Sequence, residues 1–304
     1  MTVLLSTKEV ARLLNLNEKM IYALISDKKL PATKVTGKWL FPRHLVEQWV
    51  ENNTMNIPDQ PAGRLEQSGL LVFAGSDDIL LGRSLGLLRK FHPEIIPAMA
   101  TLGSRGGLRA LRQGACHIAT SHLMEDGNTE EYNFEHASRE LGITPAVVNF
   151  CRREQGLLLP KDNPAKIKAV ADLKKGNISI VNRPESTGTR LLFDQELRKA
   201  GIKPEKLPGY EKEVARHIDV GLEILSGRAG AGPGIRAVAE QLGLDFIPLR
   251  LERFDLLIRK GIFFNKEVQA FLELLTSEEF RTMAATIPGY DTEHSGKMVY
   301  PGKE

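Results

Sequence analysis

The stretch NISIVNRPESTGTRLLFDQELRKAGI, residues 177–202, changes character twice along its length. It opens as an apolar run over 178–181, passes through the polar turn 182–189, and becomes helical. Leu191, Leu192, Gln195, Leu197 and Ala200 suit one amphipathic face, and Gly201 suits the carboxyl cap. A strand that turns into a helix leaves backbone N–H groups unpaired at the helix start, where the positive dipole end also favours an anion. Ser186, Thr187 and Thr189 add hydroxyl donors, Arg183 and Arg190 add charge, and Gly188 allows close backbone approach. The local alternative is an ordinary helix cap made by Ser186 or Thr187.

Segments of the same grammar precede it. A strand over 70–74 runs into the turn Gly75-Ser76-Asp77-Asp78 and a helix over 79–91. A strand over 96–100 leads through Gly103-Ser104-Arg105 to a helix over 108–113, and a strand over 117–120 ends at Ser121-His122. Alternating strands and helices predict an α/β class with largely parallel sheets. Ser76, Ser104, Ser121 and Ser186/Thr187 then fall just past strand carboxyl ends, the crevice where open α/β sheets bind ligands. Four hydroxyls with helix amino ends suit a tetrahedral oxyanion, or a ligand carrying one, through neutral donors. Four unrelated helix caps are the plainer alternative.

The amino-terminal residues follow a different pattern. Ser6 and Glu9 have capping-box spacing ahead of Val10, Leu13 and Leu14. Asn15-Leu16-Asn17 makes a short turn, and Asn17 can cap a helix over 18–26 with Ile21, Leu24 and Ile25 inward. Thr36-Gly37 between β-prone runs predicts a hairpin, and residues 43–51 a closing helix. Residues 1–52 hold eight Lys/Arg against five acids, whereas the rest of the chain has 33 of each sign. The excess positive charge thus sits where a nucleic acid would want it. Residues 53–67, with Pro58, Pro61 and Gly63, read as a linker.

LSTKEVARLLNLNEKMIYALISDKKLPATKVTGKWLFPRHLVEQWVE resembles the excisionase/MerR-type winged helix-turn-helix. That resemblance implies binding to double-stranded DNA through Asn17, Lys19, Met20 and Tyr22 in the major groove, with Lys34, Lys38 and Trp39 on the wing. A plainer reading makes Trp39 and Tyr22 core residues. A single module of this size binds weakly, so a homodimer is expected.

Residues 68–304 resemble the type II periplasmic-binding-protein fold. The stretch around residues 156–202 is similar to molybdate- and tungstate-binding proteins, and residues 217–249 and 268–296 look like the later parts of that fold. The resemblance implies two lobes, 68–147 with 262–304 and 155–250, joined near 148–154 and 251–259. It also implies ligand contacts from Ser76, Ser104, Arg105, Ser121, Arg183, Ser186, Thr187, Gly188 and Thr189. Asp77 and Asp78 beside Ser76 depart from a simple oxyanion site, and Arg105 and His122 are large for a tight pocket. Either these groups point away or the ligand is larger than molybdate, such as a pterin-linked species.

The expected whole is a winged helix-turn-helix followed by a two-lobe α/β domain: a regulator sensing molybdate, tungstate or a molybdenum-cofactor-related compound. A DNA-architectural protein without ligand sensing and an enzyme or accessory domain of molybdenum-cofactor assembly are the alternatives. The seven histidines and Cys116 and Cys151 lack metal-ligand spacing, and no nucleophile elbow is present, so no metal, resident cofactor or catalytic residue is expected. No apolar run is long enough to span a bilayer, and the first residues lack a secretory pattern, so a cytoplasmic location with reduced thiols is expected.

Overall fold

In a computed structural model, residues 4–27, 30–53, 69–125, 128–175 and 178–301 are described. The chain divides into two compact units, Met1–Gln60 and Pro61–Glu304. Most of the expected linker, residues 54–67, lies outside the described residues.

The first unit starts with β1 (Leu4–Ser6) and α1 (Thr7–Leu13). Ser6 and Glu9 form the capping box, the Glu9 carboxylate accepting from Ser6 N at 2.7 Å. Asn17 Oδ1 accepts from Met20 N at 2.9 Å and so starts α2 (Glu18–Asp27). Then come β2 (Thr33–Val35), β3 (Lys38–Pro42) and α3 (Arg43–Asn53). Thr36 and Gly37 both have positive φ, 46° and 81°, which lets β2 and β3 pair as a tight hairpin. Strand β1 pairs on the other edge of β3. Val10, Ile21, Phe41 and Val46 are fully buried and form the centre of this small core.

The second unit opens with β4 (Leu70–Gly75), α4 (Ile79–Phe91), β5 (Ile96–Thr101), α5 (Gly103–Arg112) and β6 (Ile118–Ser121). A short hairpin of β7 (Met124–Glu125) and β8 (Asn128–Tyr132) and then α6 (Phe134–Leu141) lead into β9 (Ala146–Leu159). Next come α7 (Gly188–Lys199), α8 (His217–Leu225), β10 (Gly232–Ile235), α9 (Arg236–Leu242) and β11 (Asp245–Ile258). Helices α10 (Lys266–Leu274) and α11 (Glu278–Ala285) pack back on α4, and β12 (Tyr290–Asp291) pairs with β9.

The main sheet runs β10-β9-β11-β6-β4-β5. Among the described strands of this sheet, β4–β5 and β4–β6 pair in parallel, and β11 runs antiparallel to both β6 and β9. The sheet is therefore mixed, where the alternation of segments predicts a largely parallel one. The reason is that β9 and β11 carry the chain between the two lobes in opposite directions. Their composition fits that role. Each has apolar residues towards its ends and polar ones in its middle, Asn149 to Gln155 and Arg250 to Asp255. The ends enter the lobe cores and the polar middles pair with each other, with Arg152 opposite Arg253 and Arg153 opposite Glu252. The apolar run at 178–181 makes isolated bridges rather than a full strand, Ile180 to Ala231 and Asn182 to Glu213.

Both tryptophans, Trp39 and Trp49, belong to the first unit. Phe41→Ala removes a fully buried ring and costs about 3–5 kcal/mol of that unit's stability. In urea, tryptophan fluorescence of this variant shifts to lower denaturant, while the far-ultraviolet transition of the larger unit stays in place. Movement of both transitions together would show that the units unfold as one.

Candidate functional site

The carboxyl ends of β4 and β6 meet one another tightly. Gly75 has φ 137°, and a Cβ there would sit 2.2 Å from the Thr120 carbonyl oxygen. Ser76 N donates to that oxygen at 3.1 Å, and Thr120 Oγ1 donates to the Ser76 carbonyl at 2.9 Å. The Ser76 side chain is thereby fixed at the mouth of the sheet. Its Oγ lies 2.9 Å from Ser104 Oγ in the first turn of α5 and 3.0 Å from His122 Nε2. All three residues are buried.

Hydrogen-bond directions follow from charge. Burial alone would raise the Glu252 carboxyl, but His122 and Arg153 beside it hold it below its ordinary value. Burial lowers the His122 imidazole against the pull of Glu252, which favours its neutral form. Its Nδ1–H donates to Glu252 Oε2 at 2.8 Å, which leaves Nε2 to accept from the Ser76 hydroxyl. Ser104 then donates to Ser76 and accepts from His122 N at 3.3 Å. Gln155 closes the group, donating to Glu252 Oε1 at 2.6 Å and Thr189 Oγ1 at 3.0 Å.

Asp77 and Asp78 are turned away from the serines. Asp78 caps α4 through Leu81 N at 2.9 Å, pairs with Arg153 Nη1 at 2.7 Å and accepts from Tyr290 at 2.8 Å. Arg153, with no exposure, also donates to Glu252 Oε1 at 2.7 Å and stacks 4.3 Å from the Phe254 ring centre. The Asp77 carboxylate reaches across to Arg183 Nη2 at 2.8 Å and to the first N–H of α8, His217 N, at 3.0 Å. Burial, and then Arg183 and Arg153, push the His217 imidazole well below its ordinary pKa. Arg153 Nη2, Arg183 Nε and both His217 ring nitrogens are buried with no hydrogen-bond partner among the described residues.

From the other side comes α7. Thr187 is its cap, accepting from Arg190 N at 3.3 Å. Gly188 lies against the imidazole of His122, where a Cβ would stand 2.6 Å from Nδ1. A Cβ on Gly103 would stand 3.0 Å from Ser186 Oγ, so the amino ends of α5 and α7 face each other across the cleft. Arg105 takes part only through its backbone N, 3.4 Å from the Ser186 carbonyl; its side chain is exposed. Ser121 is buried with its hydroxyl unpartnered, and its carbonyl accepts from Asn133 Nδ2 at 3.2 Å. The structure thus gathers Ser76, Ser104, Arg183, Ser186, Thr187, Gly188 and Thr189 around one cleft. It adds Arg153, Gln155, His217 and Glu252, which the turn pattern does not reveal.

In the first unit Asn17, Lys19, Met20 and Tyr22 are all exposed, with Met20 48% and Tyr22 46% accessible. The Asn17 side-chain oxygen is already engaged in the cap. On the hairpin Lys38 is exposed, and Lys34 Nζ sits 5.6 Å over the half-buried Trp39 ring. Among the described residues no group of three His, Cys, Asp or Glu could hold a metal, and no helix is long and apolar enough to cross a membrane.

Comparison with known proteins agrees with this division. Residues 4–54 match a helix-turn-helix domain, and residues 85–276 match the PBP superfamily domain. Uncharacterized protein YvgK of Bacillus subtilis is 30% identical over 300 residues, covering 96% of each chain. A Clostridium pasteurianum protein from the 5′ region of a 2Fe-2S ferredoxin gene is 30% identical over 110 residues, 36% of this chain and 97% of its own. Among solved structures, a phosphate ABC transporter substrate-binding protein of Clostridium perfringens, with bound phosphate, superposes with TM-score 0.54 at 15% identity. It covers 71% of this chain and 97% of its own. The tungstate ABC transporter structure of Geobacter sulfurreducens gives 0.52 at 13%, over 71% and 98%. The regulatory domain of MetR, a LysR family regulator of N. meningitidis, gives 0.50 at 14%, over 76% and 99%. With more than half of its length matched to that domain and a relative 30% identical over 96% of both chains, the chain belongs to the PBP superfamily domain family, with a helix-turn-helix domain ahead of that domain.

Proposed function

We propose that this protein is a cytoplasmic DNA-binding regulator, acting as a homodimer, whose cleft senses a small tetrahedral oxyanion, molybdate or tungstate. The carrying observation is the pair of buried hydroxyls, Ser76 and Ser104 at 2.9 Å, facing the amino ends of α5 and α7. Neutral O–H and N–H donors of this kind bind an oxyanion without a full counter-charge. The acids that would repel it are tied to Arg153 and Arg183. Ser186, Thr187, Gly188 and Thr189 complete the proposed contact set, with Arg183 and His217 as further donors at its edge. The likeness of fold to phosphate- and tungstate-related proteins and to a regulator's effector domain is consistent with this reading.

A second reading rests on one specific arrangement. Ser76, His122 and Glu252 are linked at 3.0 and 2.8 Å in the order of a nucleophile, base and orienting carboxylate. Against hydrolysis, Ser76 N is bound to Thr120 O and is not available to a developing oxyanion. A fluorophosphonate probe should leave Ser76 unlabelled; labelling that disappears in Ser76→Ala would establish the enzyme instead.

Thermal melting with molybdate, tungstate, sulfate and phosphate tests the oxyanion reading. Molybdate or tungstate at 100 times its dissociation constant adds about 2.7 kcal/mol of stability. Ser76→Ala combined with Thr187→Ala abolishes that shift and leaves DNA binding intact. No shift with any of the four anions would favour a DNA-architectural protein without ligand sensing.

On the DNA side, Lys19→Ala weakens binding to a fragment selected from a random-sequence pool, without altering the anion-dependent melting shift. Should Lys19 meet a phosphate, the salt dependence of binding falls by about one unit of slope. Unchanged DNA affinity would remove Lys19 from the proposed interface.

A further inference from the structure

Four buried nitrogens of the cleft have no hydrogen-bond partner among the described residues: Arg153 Nη2, Arg183 Nε, and Nδ1 and Nε2 of His217. One residue holds all three side chains in place. The Asp77 carbonyl accepts from Arg153 Nη1 at 3.2 Å, and its carboxylate accepts from Arg183 Nη2 at 2.8 Å and from His217 N at 3.0 Å. Arg153 comes from β9, Arg183 from the turn before α7, and His217 from the first turn of α8. Three separate segments therefore bring unsatisfied nitrogens to one aspartate. A buried polar group without a partner is rare in a native fold and calls for an explanation.

Charge is the second observation. Arg153 and Arg183 are paired with the carboxylates of Asp77, Asp78 and Glu252, so the group is net negative before any anion arrives. N–H and O–H dipoles can meet an oxyanion's oxygens, but they leave that sum unchanged, and an uncompensated buried charge is costly. His122 is engaged through both ring nitrogens, with Glu252 and Ser76. His217 has both of its own open. It faces Arg183, Arg153, His122 and Asp77. On its own helix Asp219 pairs with Arg216, and on α9 Arg236 pairs with Glu154 and Glu240. The neighbouring strand β10, Gly232–Ile235, has no ionisable side chain.

We infer that His217 binds the cleft oxyanion as an imidazolium, taking up one proton as the anion enters, so that the ligand class is a fully deprotonated dianion. This rests on the reading that the cleft binds an oxyanion. A charged His217 donates from both ring nitrogens, Arg153 Nη2 and Arg183 Nε donate as well, and none of these atoms accepts. Molybdate and tungstate present bare oxygens to such a set, whereas hydrogen phosphate keeps an O–H that meets only donors. Burial, and then the two guanidiniums, hold the free ring well below its ordinary pKa. A negative charge beside the ring raises that value, because it favours the charged form. The proton is thus gained on binding, and affinity falls as pH rises from the free ring's value through that of the bound ring.

Calorimetric titration of the full chain with molybdate, tungstate and phosphate, each in two buffers of different ionisation enthalpy, counts the protons exchanged. About one proton is taken up per molybdate or tungstate near neutral pH, and affinity falls by up to about tenfold per pH unit as pH is raised. Phosphate binds at least about tenfold more weakly. His217→Gln keeps a donor but cannot be charged; it binds molybdate more weakly, takes up no proton and loses the pH dependence. The wild-type proton count stands whether or not that variant folds. Binding without proton uptake in the wild-type protein, or uptake that persists in His217→Gln, overturns the inference and leaves the oxyanion reading in place. Phosphate bound more tightly than molybdate overturns the ligand class. Absence of binding by all three anions overturns the oxyanion reading itself, and this inference with it.

Discussion

A guanidinium with no exposure cannot remain in a protein interior unless its charge and donors are met. Arg153 is that group, and it sits where the chain crosses between lobes. Its Nε binds Glu252 on β11, its Nη1 binds the cap of α4, and its plane lies on Phe254. These contacts fix Glu252, which orients His122, which in turn holds Ser76. Removing one partner of such a buried pair typically costs about 3–5 kcal/mol, because the other charge is left stranded. The serine pair at the cleft mouth therefore inherits its geometry from a salt bridge on the strands below it.

The same network resolves the placement of two acids beside the cleft serines. Asp78 serves as helix cap and counter-ion to Arg153, and neither role brings its charge to the serines. Asp77 accepts from Arg183 and from the amino end of α8, the kind of donor set that an anion seeks. An internal carboxylate thus ties the turn after β4 to the region of α7 and α8. Any ligand drawing on Arg183 has to share it with Asp77, and one drawing on the hydroxyls of Ser76, Ser104 or Thr187 has to displace their bonds to His122, Ser76 and the Pro184 carbonyl.

Local signals in the sequence were the ones that could be read. Capping needs residues three apart, so Ser6–Glu9 and Asn17–Met20 were legible, as was the Thr36-Gly37 turn. The turn before α7 was legible too, though Phe193, fully buried, was missing from the expected helix face. The cleft network was not legible, because its members stand far apart in the chain. His122 and Glu252 are separated by 130 positions and Arg153 and Glu252 by 99. The one available trace was polar residues interrupting apolar runs in VVNFCRREQGLLL and LRLERFDLLI. Strand direction was equally hidden, since an apolar run carries no mark of whether its neighbour is parallel.

Those two interrupted strands have a further consequence for how the domain can respond. One face of the β9–β11 ribbon carries Arg153 and Glu252 into the cleft, and the other, outer face carries Arg152 and Arg253. The register shifts between Phe254 and Asp255, one residue beyond Arg253, so the ribbon is irregular at this level. Bending there displaces both faces together, because consecutive residues of a strand share one backbone. A ligand that favours one curvature from the cleft side must favour the same curvature at the outer face. The ribbon therefore ties its two faces together without any wire of contacts running through a lobe.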